Sequence, residues 1–310
     1  MNIVTVTLNP AFDIHYEEKN FSPYKENYAD SVIVAAGGKG VNISRALSRN
    51  HIDNTAYIVL GEENAADFVS KLKKHDLNFK VIYCRGRIRE NITIHTLQAP
   101  ETRISLDNFC LSPGIVNRLL KELGRDVDKN TIVSFAGRIP KGLSTDCVMN
   151  FLTELRSLGC LLAVDCNSFT LKDLLCIKPW LIKPNEQEIR ALTGERIETA
   201  EQARVAAIKI HDMGIENVII SMGAKGAGAA TDDFSYIIEA PPIKPVSTIG
   251  AGDSLIAGFI GAYSQGSDLE ECLINAASFG TAACLTEGTE PPRPEDIKRI
   301  REEVRVRCYC

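Results

Sequence analysis

Short apolar runs rich in β-branched residues recur along this chain and alternate with stretches whose apolar positions return every three or four residues. The runs are IVTVTL at 3–8, TAYIVL at 55–60, TIVSFA at 131–136, LLAVD at 161–165, WLIKP at 180–184 and NVIISMG at 217–223. Their near-continuous apolarity is that of strands covered on both faces. Helical spacing between them predicts helices over about 40–49, 64–75, 113–123, 145–158, 186–193 and 199–213. Two more helices follow at about 252–265 and 269–285. Strands that alternate with helices predict an α/β fold, with a parallel sheet between two helical layers. Residues 11–36 and 87–110 break this rhythm with alternating patterns such as DSVIVA and NITIHTL, without a crossover helix. They predict a small antiparallel sheet projecting from the main body, either a lid or a plain edge extension.

Composition narrows the picture. The chain has 310 residues, 45% hydrophobic and 24% charged, which is the profile of an ordinary globular protein. No repeat, low-complexity segment or long linker divides it, so residues 1–310 read as one domain. A formal net charge of -5 leaves no basic footprint and argues against nucleic acid as a partner. No segment approaches the roughly 20 apolar residues of a membrane span. The opening MNIVTVTLNP lacks the basic start and apolar stretch of a secretion signal, so a cytoplasmic location is expected. The ten cysteines form no C-x-x-C pair and lie mostly in apolar runs such as CLLAVDC (160–166). They are expected to behave as buried small hydrophobes, without a zinc site or disulfide framework.

Four motifs carry candidate chemistry. In STIGAGDSLIAGFIGAYS (247–264), Gly250, Ala251 and Gly252 turn the chain into an apolar helix. Free N–H groups at such an entry favour negative charge, which suits a transferring phosphoryl group. Asp253 in the first turn is placed to take a proton from an attacking hydroxyl, or merely to cap the helix. SMGAKGAGAAT (221–231) follows a strand and offers glycines and Lys225 to a nucleotide, or forms a simple hairpin turn. It is neither a Walker A sequence nor a GxGxxG fingerprint. In LIKPNEQEIRALTG (181–194), Asn185 and Glu188 share a helix face that can serve Mg²⁺ beside phosphate, form a capping box, or do both. AAGGKGVNISRALSRN (35–50) is another glycine-built helix entry, with Lys39 and Asn42 as donors. Arg87 and Arg89 are further candidates for an anionic group or are solvated surface charges. The five histidines show no ligand spacing and receive no catalytic role.

Taken together and in this order, AGGKGVN, IKPNEQE and STIGAGDS resemble the signatures of the ribokinase-like PfkB family of carbohydrate kinases. The resemblance extends from TLNPAFD (7–13) to AACLTEGT (282–289). It implies a three-layer αβα sandwich with a mainly parallel central sheet, a small β-sheet lid and a homodimer formed through that lid. TLNPAFD and the arginine before Asn91 are similar to the branch acting on phosphorylated ketohexoses, including 1-phosphofructokinase and tagatose-6-phosphate kinase. By this resemblance ATP phosphorylates a phosphosugar, most simply fructose 1-phosphate. Asp253 acts as general base and the amides of Gly250, Ala251 and Gly252 with Asp253 form an anion hole. Asp13, Gly38, Lys39, Asn42 and Arg89 are implied sugar-phosphate contacts. Lys183, Asn185, Ser221, Gly223 and Gly226 line the ATP side, Asn275 and Ser278 flank the adenine, and Glu188 acts on Mg²⁺.

Three segments depart from the family wording. GRIP (137–140) stands where a G-S-L-P turn is usual, so Arg138 alters the pocket or adds a phosphate ligand. TRISLDNFCLSP (102–113) lacks T-x-I-N-x-x-G, and VDCNSF (164–169) replaces D-x-S-G. All three bear on the sugar side. A non-catalytic sugar-phosphate or nucleotide sensor is the alternative they raise.

Overall fold

The computed structural model describes residues 1–96, 102–106 and 109–310. The strands are β1 (Asn2–Thr7), β2 (Ala11–Glu17), β3 (Ser31–Gly37), β4 (Thr55–Gly61), β5 (Phe79–Cys84), β6 (Arg89–His95), β7 (Thr102–Ser105), β8 (Thr131–Ala136), β9 (Leu161–Asp165), β10 (Leu181–Ile182), β11 (Asn217–Ser221), β12 (Ala227–Ala230), β13 (Ser235–Glu239) and β14 (Arg305–Tyr309). The helices are α1 (Lys39–Arg49), α2 (Ala65–Leu72), α3 (Pro113–Leu123), α4 (Thr145–Ser157), α5 (Leu171–Ile177), α6 (Glu186–Thr193), α7 (Ala200–Asp212), α8 (Ala251–Ser264), α9 (Leu269–Ala283) and α10 (Pro294–Arg301).

Ten strands form one sheet in the order β14-β13-β12-β11-β10-β9-β8-β1-β4-β5. From β11 to β5 every neighbouring pair is parallel, and β12, β13 and β14 continue the sheet antiparallel. Residue alternation divides the core between two faces. Val4 and Val6 join Leu119, Phe151 and Ala207 on the face covered by α3 to α7. Ile3 joins Leu47, Phe259 and Phe279 on the face covered by α1, α8, α9 and α10. The predicted central strands and helices are present within a few residues of their expected ends. Unanticipated are β5, α5, the β12–β14 extension and α10, whose local patterns are short or weak. The glycine cluster after β11 is the turn of the β11–β12 hairpin.

The two irregular stretches supply a separate four-stranded sheet, β3-β2-β6-β7. It is mixed, not antiparallel as expected: β2 and β6 run parallel, with Asp13 opposite Asn91. The chain leaves β2 into β3, then builds β4, α2 and β5 before returning, so β6 re-enters in the direction of β2. Residues 97–101 and 107–108 of the expected second lid segment lie outside the described residues.

The cysteines also need correction. Cys84, Cys160 and Cys272 are buried, but Cys110, Cys176, Cys308 and Cys310 are exposed. Apolar neighbours in sequence do not bury a residue whose strand or helix face points outward. No helix of the described residues is long and apolar enough to cross a membrane.

Candidate active site

The direction of chain winding locates the cleft. From β1 the sheet grows outward to β4 and β5 on one side and to β8, β9, β10 and β11 on the other, so the order reverses between β1 and β8. Loops diverge beyond the carboxyl ends of such a pair and leave a crevice. Asn9 follows β1 and donates to the Arg138 carbonyl after β8 at 3.4 Å. Asp165 closes β9, its carbonyl accepting from Gly137 N–H at 3.0 Å. Lys183 follows β10 and is buried.

Two helices point their N-termini at this crevice. Gly38 caps α1 with φ 119. A Cβ there would lie 3.0 Å from Thr7 Cγ2 and 3.1 Å from Pro10 Cα, so both backbone angle and space require glycine. Gly250 caps α8 with φ 79. Asn42, one turn into α1, donates from Nδ2 to Asp253 Oδ2 at 2.8 Å. Sequence positions 211 residues apart are thereby joined, and Asp253 faces the same side as residues 38–42. Lys183 Nζ lies 3.1 Å from where a Cβ of Gly252 would be, placing an ammonium beside the expected anion hole.

Lys39 Nζ pairs with Asp165 Oδ2 at 2.9 Å and stands 3.9 Å from Glu188 Oε1. Burial would lower the Lys39 pKa, but Asp165, Asp253 and Glu188 outweigh it and raise the value above the ordinary lysine range. The two buried carboxylates are driven apart. Burial pushes Asp165 up, yet Lys183 and Lys39 prevail and hold it below the usual aspartate range. For Asp253 burial prevails, reinforced by the negative charge of Asp165 against Lys39, Asn42 and Lys183, and its pKa rises to about 6. Asp165 is thus a fixed counter-ion, while Asp253 is a carboxylate that can take up a proton near neutral pH. Asp165 was not singled out from sequence. Its signal is position: an acid at the carboxyl end of a buried parallel strand, next to the winding reversal.

The small sheet covers the crevice from the other side with one polar face. Strand alternation puts Asp13 and His15 of β2, Asn91 and Thr93 of β6, and Arg103 of β7 on it. Asn91 Nδ2 donates to Asp13 Oδ1 at 2.8 Å, and Asn91 Oδ1 accepts from Arg89 Nη1 at 2.9 Å. A Cβ at Gly37 would overlap the Asp13 carboxylate, which explains the first glycine of AGGKG. Arg103 Nη2 stands 3.9 Å from Asp13 Oδ1, a cation that motif reading did not assign. Arg138 is exposed. Arg87 does not join these groups: it pairs with Glu90 at 3.1 Å and lines a shallow pocket with Phe12, Val34 and Lys74.

On the expected nucleotide side, Asn185 caps α6 by accepting from the Gln187 and Glu188 amides, and Glu188 Oε2 accepts from Asn185 N–H at 3.0 Å. The capping box and the functional face therefore coexist, with Oε1 turned toward Lys39. Asn185 bridges to Ser221 at the end of β11. Gly223 and Gly226 take φ 56 and 90 in the turn that follows, and Lys225 pairs with Glu186 at 2.7 Å across it. Asn275 is bonded to Glu271. Ser278 is fully buried with its hydroxyl donating to the Ile274 carbonyl, so it packs behind the surface that Asn275 reaches.

No group of three or more metal-ligating side chains exists among the described residues. Mg²⁺ typically takes one or two carboxylates with phosphate oxygens and waters, and the Glu188 carboxylate beside Lys39 fits that requirement.

Residues 7–296 match the pfkB family carbohydrate kinase pattern, and the chain belongs to that family. It is accordingly an ATP-dependent carbohydrate kinase. The chain is similar to the 1-phosphofructokinase of Haemophilus influenzae, 30% identical over 285 residues covering 91% of this chain and 90% of that one. It is also similar to the 1-phosphofructokinase of Borreliella burgdorferi, 31% identical over 307 residues and 98% of each chain. These relatives make it a sugar-phosphate kinase. A crystal structure of Escherichia coli phosphofructokinase-2 in complex with substrates and products superposes with a TM-score of 0.91 at 24% identity. It covers 98% of this chain and 99% of its own, so the ribokinase-like fold is shared throughout.

Proposed function

We propose that this kinase transfers the γ-phosphoryl group of ATP to fructose 1-phosphate, giving fructose 1,6-bisphosphate and ADP. The observation that carries the reading is the Asp253 carboxylate, held by Asn42 at 2.8 Å at the mouth of a glycine-capped helix, with its pKa raised to about 6. It takes the proton of the acceptor hydroxyl as that oxygen bonds to the γ-phosphorus and the bond to the leaving ADP oxygen breaks. The amides of residues 250–253 and Lys183 face the charge that develops on the transferring group. Asp13, Gly38, Lys39, Asn42 and Arg89 hold the acceptor, with Arg103 and Arg138 adding positive charge for its phosphate. Asn185, Ser221, Gly223, Gly226 and Asn275 line the nucleotide side, Ser278 packing behind Asn275. Mg²⁺ held through Glu188 would neutralise phosphate charge.

Turnover of a panel of phosphosugars with ATP and Mg²⁺ tests this. Highest kcat/KM on fructose 1-phosphate is expected. A preference for tagatose 6-phosphate would move the acceptor to the other ketohexose, and ligand binding without ADP release would favour a sensor. We place the reaction in the cytoplasm, where ATP and phosphosugars occur together.

The outer face of the small sheet supports a homodimer. Val32, Val34, Ile14, Tyr16, Ile92, Ile94 and Ile104 share it, and Val32 and Ile104 are 53% and 48% exposed. Pairing two such faces removes this patch from water. Sedimentation should show a dimer, with Ile104→Lys shifting it to monomer.

A further inference from the structure

Outside the groups assigned above, the largest fully buried side chain is a cation. Arg45 lies one turn beyond Asn42 on α1, and its side chain is wholly inaccessible. Its Nη2 donates to Glu290 Oε1 at 2.7 Å and its Nη1 to the Thr289 carbonyl at 3.3 Å. Arg45 Nε and Thr289 Oγ1 are buried without hydrogen-bond partners among the described residues. Burying a guanidinium in this way costs stability that an apolar side chain would not, so its use here calls for a purpose beyond packing.

The loop it grips supplies one. Residues 284–290 follow α9 and touch three parts of the site. Cys284 accepts from the Val246 and Ser247 amides on the approach to the anion-hole turn. The Thr289 Cα lies 3.8 Å from where a Cβ of Gly250 would be. Gly288 abuts the ring of His15 on the small sheet, its hypothetical Cβ 2.9 Å from Nε2. Thr286 Oγ1 donates back within the loop. One helix, α1, thereby reaches Asp253 through Asn42 and the Gly250 turn through Arg45.

We propose that the Arg45–Glu290 ion pair is a positioning device for phosphoryl transfer, holding residues 286–290 against Gly250 so that the anion-hole amides and Asp253 keep a fixed relation. Neither residue touches a reacting atom. The inference rests on the kinase reading for its catalytic consequence, but its structural content is independent of the acceptor. A misplacement of about 1 Å at reacting groups can cost up to about 10²-fold in rate.

The test uses Glu290, whose side chain is 44% exposed and whose change leaves the core intact. Glu290→Gln should lower kcat about tenfold while both KM values stay within about twofold, and Glu290→Asp should recover most of the loss. Amide hydrogen exchange in the ligand-free protein should speed up at residues 248–253 as well as 286–290. Leu155→Ala, on the opposite face of the sheet, serves as a control for general destabilisation. Unchanged kcat in Glu290→Gln, or exchange at 248–253 no faster than in the control, overturns the proposal. If the wild type phosphorylates none of the sugars, the functional reading fails while the exchange result still decides this one.

Discussion

The N-termini of α1 and α8 are the same backbone device used for opposite chemistry. Each follows a glycine with positive φ, and each faces the crevice. The positive end of a helix dipole favours anions by about 0.3–1 kcal/mol. Yet α1 opens with Lys39 and no acid in its first turn, and that cation is tolerated because Asp165 sits 2.9 Å away. Helix α8 opens with an acid, as the dipole prefers, but burial dominates and lifts Asp253 from 3.8 to about 6. That difference is worth about 3 kcal/mol, several times the dipole effect. A helix entry therefore does not set its own charge state. The surrounding burial and counter-ions do, and they suit one entry to the binding role and the other to the base role proposed for them.

Removing the base should break the comparison most severely. Asp253→Asn should reduce kcat by about 10²–10⁴-fold, with ATP affinity changed only a few-fold when measured by calorimetry. Lys39→Met attacks the other entry and should act on KM for the phosphosugar, raising it about 10–100-fold as one charge-assisted hydrogen bond is lost. Equal effects of the two variants on kcat and KM would show that the entries do not divide the labour. Acid should have a graded effect: Asp253 must be ionised to accept a proton, so kcat/KM should fall about tenfold per pH unit below about 6. The smallest effect sharpens the energetic side. A carboxylic acid with a higher pKa folded than unfolded binds its proton more tightly when folded. Its contribution to stability is therefore lost as pH rises from about 4 to about 6. Asp253→Asn should then gain up to about 3 kcal/mol at pH 8 and nothing near pH 3 in denaturant unfolding.

Much of this arrangement was legible in sequence because it is built from local signals. Glycine clusters at helix entries mark both N-termini, and Asn185 with Glu188 spells its own capping box. The central strands were legible because both of their faces are buried, which leaves no polar alternation to confuse the period. What stayed hidden depends on contacts between distant segments. Asp165 gained its role from Lys39 and Lys183, 126 residues before it and 18 after it. The parallel pairing of β2 with β6 followed from chain routing, which alternation cannot encode. AGAA in β12 carries no β-branched residue, and its pairing with β11 on one side and β13 on the other makes it a strand. The full burial of Arg45 follows only from the packing of its helix, since nothing in its local sequence marks it.

Strand β3 ends at Gly37 and helix α1 begins at Lys39. The cover and the floor of the cleft are therefore one continuous piece of chain with a single glycine as pivot. A tilt of β3 relative to α1 would be taken up at Gly38, the residue proposed to hold the sugar, so that the proposed grip and the angle of the cover are coupled.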